Sequence, residues 1–198
     1  MSNINVINPG ADITTHAADL AAHTLNIGQI FRTGEYLPAG FLLGYTTSAI
    51  QADRIIARYL WVARNITVDR IAVYVATAGA AGTVIRLGIY NNGTNLLPGS
   101  LLLDAGTVAV DSTGVKAITI NQALTKGLYW LALFSDGAPT LGAHASAWSP
   151  IGMDNSIQNT KAHWYKDTAY GTLPDPFPAD ASTFSFMYSI FVRVASLD

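Results

Sequence analysis

The stretch "NITVDRIAVYVATAG" (Asn65–Gly79) decides the fold class, and "TVIRLGIYNNG" (Thr83–Gly93) repeats its pattern. In both stretches apolar residues alternate with other residues, which is typical of half-buried β-strands. One face of each strand is then apolar: Ile71, Val73 and Val75 in the first, and Ile85, Leu87 and Ile89 in the second. The opposite face carries Arg70, Ala72 and Tyr74 in the first, and Arg86, Gly88 and Tyr90 in the second.

Similar strands follow along the chain. A strand with Ile118 and Ile120 leads to a turn at Lys126-Gly127 and then to a strand through Leu131 and Leu133. The C-terminal stretch "STFSFMYSIFVRVASL" is predicted to continue the alternation from Phe184 to Val192. Short strands separated by Gly, Pro, Asn and Asp are typical of antiparallel sandwiches. Because the last strand can pair beside an early one, we predict a mainly β, antiparallel jelly-roll β-sandwich.

The turn after the second strand is a candidate ligand site. Asn91-Asn92-Gly93 is predicted to supply residues that tolerate a positive φ, and Leu97-Pro98-Gly99 to form a corner before the next short strand. Asp104 is better explained as a turn-capping residue than as a metal ligand. This stretch therefore indicates a fold element, and binding is expected elsewhere.

The composition favours a protein that assembles with others. Half of the 198 residues are hydrophobic and only 12% are charged, with a net charge of −2. So few charges suggest a surface covered by partners or a neutral polar exterior. The single glutamate, Glu35, among 13 acidic residues argues for many turns and little helix. No basic patch favours nucleic acid or a membrane surface.

Residues 1–34 are predicted to form a separate, partly helical N-terminal arm ahead of a sandwich domain at 35–198. Spacings of four and three alternate between its apolar positions, as in the a and d positions of a coiled coil. These positions are Ile13, Ala17, Leu20, Thr24, Ile27 and Phe31. Roughly two heptads are marginal in isolation. The arm either forms an oligomeric bundle or packs on a neighbouring part of the assembly.

Residues 66–141 resemble a β-sandwich module of structural proteins of tailed bacteriophages. The blocks "LGIY…LPGSLLLDAGTV" and "GLYWLALFSDGAP" carry this resemblance most specifically, and "ITTHAADLAAHT" resembles stalk segments ahead of phage tail-fibre modules. The resemblance implies a non-enzymatic virion component on the particle surface, as a homotrimer in contact with other virion proteins. It implies either a tail-fibre, receptor-binding role or a capsid-decoration role, and it supplies no catalytic residues. A carbohydrate-binding module is a weaker alternative.

The chain begins without the basic and apolar regions of a signal peptide, and no apolar run reaches the length of a membrane span. We therefore expect synthesis in a bacterial cytoplasm, a location in the virion and no membrane insertion. Cysteine is absent, which excludes disulfides and thiolate chemistry.

The irregular region 135–182 is where binding residues are expected, because long loops on a rigid sandwich commonly carry function. Its aromatic residues lie near Asn, Asp and Gln, and they could stack on the sugar rings of host surface polysaccharide. The candidate glycan-binding residues are Trp148, Trp164, Tyr165 and Tyr170. The alternative is that these side chains fill the end of the sandwich or a subunit seam.

No motif indicates a reaction, a cofactor or a metal. The nucleophile motif G-x-S-x-G and the phosphate-binding loop are absent, and no carboxylate pair stands out as that of a glycosidase. His16 and His23 lie one heptad apart and are best explained as solvated residues, although trimer symmetry could bring them together around a metal. His144 and His163 have no ligand partner at zinc spacing. Asp111, Asp136 and Asp154 are, like Asp104, better explained as turn formers than as calcium ligands.

Overall fold

The computed structural model describes residues 31–40, 43–146, 151–153, 161, 163–185 and 187–198. By the contacts between its residues, the chain divides into two units, residues 1–30 and Phe31–Asp198. The prediction for the N-terminal arm therefore falls almost wholly outside the described residues. No helix in the described part of the chain is long and apolar enough to cross a bilayer.

In the described part of the chain, thirteen strands form two antiparallel sheets. Sheet I contains β1 (Tyr36–Pro38), β2 (Leu43–Ala49), β4 (Ile66–Thr77), β7 (Gly114–Leu124), β9 (Thr140–Ser146), β12 (Met187–Tyr188) and β13 (Ile190–Leu197). Sheet II contains β3 (Arg54–Val62), β5 (Val84–Asn92), β6 (Pro98–Ala109), β8 (Gly127–Ser135), β10 (His163–Asp167) and β11 (Ser182–Phe184).

The strand order confirms the jelly-roll sandwich. In sheet I, β2 pairs with β9, β9 with β4 and β4 with β7. In sheet II, β3 pairs with β8, β8 with β5 and β5 with β6. Eight consecutive strands arranged in these two sets of four are the jelly-roll pattern. β13 pairs with β4 on one side and β1 on the other, so the C-terminal strand lies beside early strands as predicted.

The core between the sheets is formed by the predicted apolar faces. Ile71, Val73 and Val75 of β4 are at most 1% exposed and belong to one cluster with Ile85, Leu87 and Ile89 of β5. The period-two alternation therefore predicted this core correctly, because successive side chains of a strand point to opposite faces.

Sheet II is buried on its outer face as well. A second cluster there contains Tyr59, Tyr90 and Trp130, together with Leu173 and Phe177 from the segment that follows β10. Sheet II thus carries apolar residues on both faces, whereas the outer face of sheet I has exposed aromatic residues.

Two local predictions were wrong. The C-terminal alternation does not form one strand: Phe184 lies in β11 of sheet II, whereas Tyr188, Ile190 and Val192 lie in β12 and β13 of sheet I. Alternation in the sequence determines which face a side chain occupies, but not which sheet its strand joins. The passage of the chain from sheet II to sheet I between Phe184 and Tyr188 therefore could not be predicted from it.

The β5–β6 connection turns later than predicted. Positive φ values occur at Asn95 (52°) and Leu96 (55°), inside a short 3-10 turn at Thr94–Leu96, and not at Asn91-Asn92-Gly93. Gly93 is instead required by packing, since a Cβ there would lie 2.8 Å from the carbonyl oxygen of Leu97. In β6, Asp104 pairs with Arg86 at 2.6 Å, and its other oxygen accepts the backbone N–H of Gly106 at 3.0 Å.

Candidate functional site

An apolar groove of about 550 Å³ lies on the outer face of sheet I. Its lining residues come from β1, β2, β4, β7 and β13: Tyr36, Tyr45, Ala72, Tyr74, Val115 and Phe191, together with Val73, whose side chain is buried in the core. A volume of this size is within the range of small-molecule and cofactor sites. We call this feature the tyrosine groove.

Strand register brings these residues together. Tyr74 of β4 points outward because its neighbours Val73 and Val75 point into the core, and Val115 of β7 lies directly opposite it. Phe191 of β13 lies opposite Ala72, whose small side chain leaves space between the aromatic rings. The groove therefore results from outward positions of neighbouring strands, not from a loop.

The aromatic rings are presented to solvent. Tyr36, Tyr45 and Tyr74 are 40%, 63% and 41% exposed. Tyr36 packs edge-on against Phe191, with ring centroids 6.4 Å apart and an interplanar angle of 85°. An exposed tyrosine offers a flat apolar ring together with a hydroxyl group that hydrogen-bonds.

Charged residues follow the aromatic ones along the same strands. Arg193 of β13 lies opposite Tyr36 and donates two hydrogen bonds to the carboxylate of Asp69, at 2.9 and 2.6 Å. These hydrogen bonds from Arg193 lower the pKa of Asp69, so the carboxylate stays ionised. Arg70 is 3.9 Å from the same carboxylate. The groove thus combines an uncharged aromatic lining with a polar cluster on the adjoining strand positions.

Of the three described glycan-binding candidates, Trp164 and Tyr170 pack against the outer cluster of sheet II, whereas Tyr165 packs against the core between the sheets. Trp164 and Tyr165 are successive residues of β10 and pack against different clusters, on opposite faces of sheet II. The indole N–H of Trp164 donates to the carbonyl oxygen of Leu96 at 2.6 Å, and the guanidinium of Arg54 lies 4.3 Å from the ring centre of Tyr165. Both side chains are half-buried and already in contact with the protein.

Tyr170 is also half-buried in the described structure. Its ring lies 5.0 Å from that of Phe134, and its backbone N–H donates to Asp53 at 2.9 Å. Burial raises the pKa of its hydroxyl, so the phenol stays protonated at neutral pH. Trp148 lies outside the described residues, and glycan binding by these four aromatic residues stays a prediction.

Of the predicted arm positions, the described structure includes only Phe31. This side chain is 8% exposed and packs in the core between the two sheets. Ile13, Ala17, Leu20 and Ile27 lie outside the described residues, as do His16 and His23.

The remaining candidate ligands have structural partners. Asp136 accepts the backbone N–H of Val84 at 2.8 Å, and Asp111 accepts that of Gly82 at 3.4 Å. Asp154 lies outside the described residues. Within the described ranges, no three histidine or acidic side chains lie close enough together to hold a metal ion.

The tyrosine groove was not predicted from the sequence. Tyr74 was predicted on the face opposite Val73 and Val75, whereas the predicted binding residues lie in the irregular region 135–182. One feature of the sequence did indicate the groove: Tyr74 and Phe191 occupy outward strand positions, and a solvated sheet face ordinarily carries polar residues there. Tyr36 and Tyr45 gave no such signal, because only strand pairing brings them to this face.

Comparison with known proteins yields distant likenesses of fold. No protein-family model matches the sequence, and no curated protein matches it. One similar structure comprises the cysteine protease and lectin-like domains of Cwp84, a surface layer associated protein of Clostridium difficile, at 12% identity and a TM-score of 0.42. The match covers 75% of this chain and 36% of that one.

A second similar structure is that of infectious bursal disease virus, Gx strain, at 11% identity and a TM-score of 0.27. This match covers 81% of the present chain and 40% of the viral one. The chain thus spans well under half the length of either structure.

Proposed function

We propose that this chain is a non-enzymatic structural protein of a bacteriophage virion, displayed on the particle surface as a homotrimer, that binds host surface polysaccharide through the tyrosine groove. The single observation that carries the binding role is the set of three exposed tyrosines around one groove on a sheet face. The resemblance of residues 66–141 to phage virion modules supports the assignment to a virion.

A saccharide suits the chemistry of the tyrosine groove. One face of a pyranose ring is covered by C–H groups that stack on aromatic rings, while its hydroxyl groups need hydrogen-bonding partners at the edge. Tyr36, Tyr45 and Tyr74 offer both the ring and the hydroxyl. Asp69 and Arg193, on adjoining strand positions, add hydrogen-bonding groups near the apolar lining.

We expect binding without a reaction. The described lining residues carry no carboxylate, imidazole, amine or thiol, so the groove lacks the acid and base that sugar hydrolysis requires. Attachment and assembly are then the whole mechanism at this site.

The test is binding of the purified full chain to an array of bacterial capsular polysaccharides and lipopolysaccharide O-chains. We expect a specific saccharide to bind, and Tyr45→Ala or Tyr74→Ala to reduce its affinity at least tenfold, because each removes a stacking ring. Trp61→Ala is the matched control, since Trp61 is a 53% exposed aromatic residue of sheet II outside the groove. Equal losses in all three variants, or no loss in the tyrosine variants, would exclude the groove as the site.

Capsid decoration is the second candidate, and one observation favours it. Val115 is 63% exposed beside Tyr74 and extends the apolar surface along the edge strand β7, which suits a protein partner. In this case the purified protein would bind empty capsids saturably and ignore every saccharide and host cell. Such a result would replace the receptor-binding role by a stabilising one.

A further inference from the structure

A buried histidine lies beside Tyr45, one of the exposed aromatic residues of the tyrosine groove. His144 of β9 lies directly opposite Tyr45 of β2, and the two rings meet edge to face with centroids 6.0 Å apart. Among the described strands, β2 pairs only with β9. The position of Tyr45 in the groove therefore depends on the β2–β9 pairing that contains His144.

The surroundings of His144 are poor in negative charge. Its side chain is 8% exposed, and its Nδ1 lies 2.8 Å from the hydroxyl of Ser189. Arg58 of β3 is fully buried and donates from Nη1 to the carbonyl oxygen of Tyr188 at 2.8 Å. Its Nε and Nη2 have no hydrogen-bond partner in the described structure.

No described group around His144 offers a negative charge that would offset an added proton. Tyr45 contributes an aromatic ring from β2 and Ser189 a hydroxyl, and the charge of Arg58 in β3 acts on the histidine through space. No described carboxylate forms an ion pair with His144 or Arg58. Burial first, and then the charge of Arg58, hold the pKa of His144 below its ordinary value. Burial also lowers the pKa of Arg58 to about 10, which leaves it charged at neutral pH.

We propose that His144 is a pH sensor for the tyrosine groove, whose protonation disturbs the β2–β9 pairing at Tyr45 and weakens saccharide binding in mild acid. The expected effect on saccharide binding rests on the proposed function, whereas the expected effect on Tyr45 does not. In the protonated ring both nitrogens carry protons, so Nδ1 can only donate to Ser189, and the ring brings a positive charge into a buried site.

The direction of the stability change follows from linkage. The unfolded chain takes up a proton at the ordinary histidine pKa of about 6.5, whereas folded His144 resists protonation until lower pH. Between these values the unfolded state binds more protons, so the free energy of unfolding falls as the pH decreases. Neutral His144 therefore makes its full contribution to stability above the histidine pKa of the unfolded chain. This contribution is lost as the pH falls through the pKa of His144 in the folded protein.

The first test needs no saccharide. Proton NMR of the full chain between pH 8 and pH 5 should show one imidazole with a pKa below 6.5, absent from His144→Gln, and a Tyr45 ring resonance that shifts with the same midpoint. His144→Gln should abolish this shift while the protein stays folded above pH 7. A Tyr45 resonance that is insensitive to pH, or that titrates unchanged in His144→Gln, would overturn the proposal.

The second test measures binding of the array-selected saccharide at pH 7.5 and pH 5.5. We expect affinity to fall at least fivefold in the wild type and to change less than twofold in His144→Gln. Equal losses in both proteins would refute the control of binding by His144. If no saccharide binds at either pH, the proposed function fails, while the NMR titration still decides whether His144 acts on Tyr45.

Discussion

At the scale of single residues, Gly88 shows how closely the outer face of sheet II is covered. A Cβ at this position would overlap Cδ1 of Leu173 and would lie 2.7 Å from the carbonyl oxygen of Leu103. Gly88→Ala should therefore lower the free energy of unfolding by roughly 1–3 kcal/mol, the usual cost of overpacking a core. Urea denaturation measures this loss.

Gly127→Ala is the matched control for that substitution. Gly127 also lies in a strand of sheet II, but a Cβ there would have no neighbour closer than 3.8 Å. We expect its stability to equal or slightly exceed that of the wild type, because alanine restricts the unfolded chain more than glycine does. A loss in Gly127→Ala as large as that in Gly88→Ala would show that the contact with Leu173 is not the cause.

At the scale of elements, the segment 168–181 packs on the outer face of sheet II, and we call it the cover. Tyr90 donates its hydroxyl to the carbonyl oxygen of Pro174 at 2.8 Å, and the backbone N–H of Phe177 donates to Gly99 at 3.0 Å. The rings of Phe177 and Tyr90 meet edge to face, 5.3 Å apart. Burial raises the pKa of Tyr90, so its hydroxyl remains a donor throughout the neutral range.

Phe177→Ala tests this cover. Phe177 is 2% exposed, so its truncation should lower the free energy of unfolding by about 3–5 kcal/mol. The loss should also expose Trp130, which is fully buried in the same cluster, and shift tryptophan fluorescence to longer wavelength. An unchanged spectrum and unchanged stability would mean that the cover does not stabilise the sheet.

The sequence predicted the strands and their buried faces because alternation records burial directly, as at Ile85, Leu87 and Ile89. It could not predict the cover, because residues 168–181 have no period and their contact Tyr90 is remote in the chain. It could not predict the tyrosine groove for a related reason. Tyr45, Tyr74 and Phe191 become neighbours only through the strand register, which depends on tertiary pairing.

At the scale of the whole molecule, we expect three chains to associate. Few charged residues and an open aromatic face are both consistent with surface that is covered in an assembly. Mass measurement of the full chain in solution at micromolar concentration should give three times the chain mass of 21.0 kDa. A stable monomer at this concentration would contradict the trimer.

The most direct test of the central claim is to locate a bound saccharide on the protein by NMR. Titration of the isotope-labelled full chain with an oligosaccharide selected from the polysaccharide array should shift resonances of Tyr36, Tyr45, Tyr74 and Phe191, and leave those of Trp164 and Tyr170 unchanged. Shifts confined to Trp164, Tyr165 and Tyr170 would move the site to the other sheet. No saturable shift in the tyrosine groove would contradict its role as the receptor-binding site.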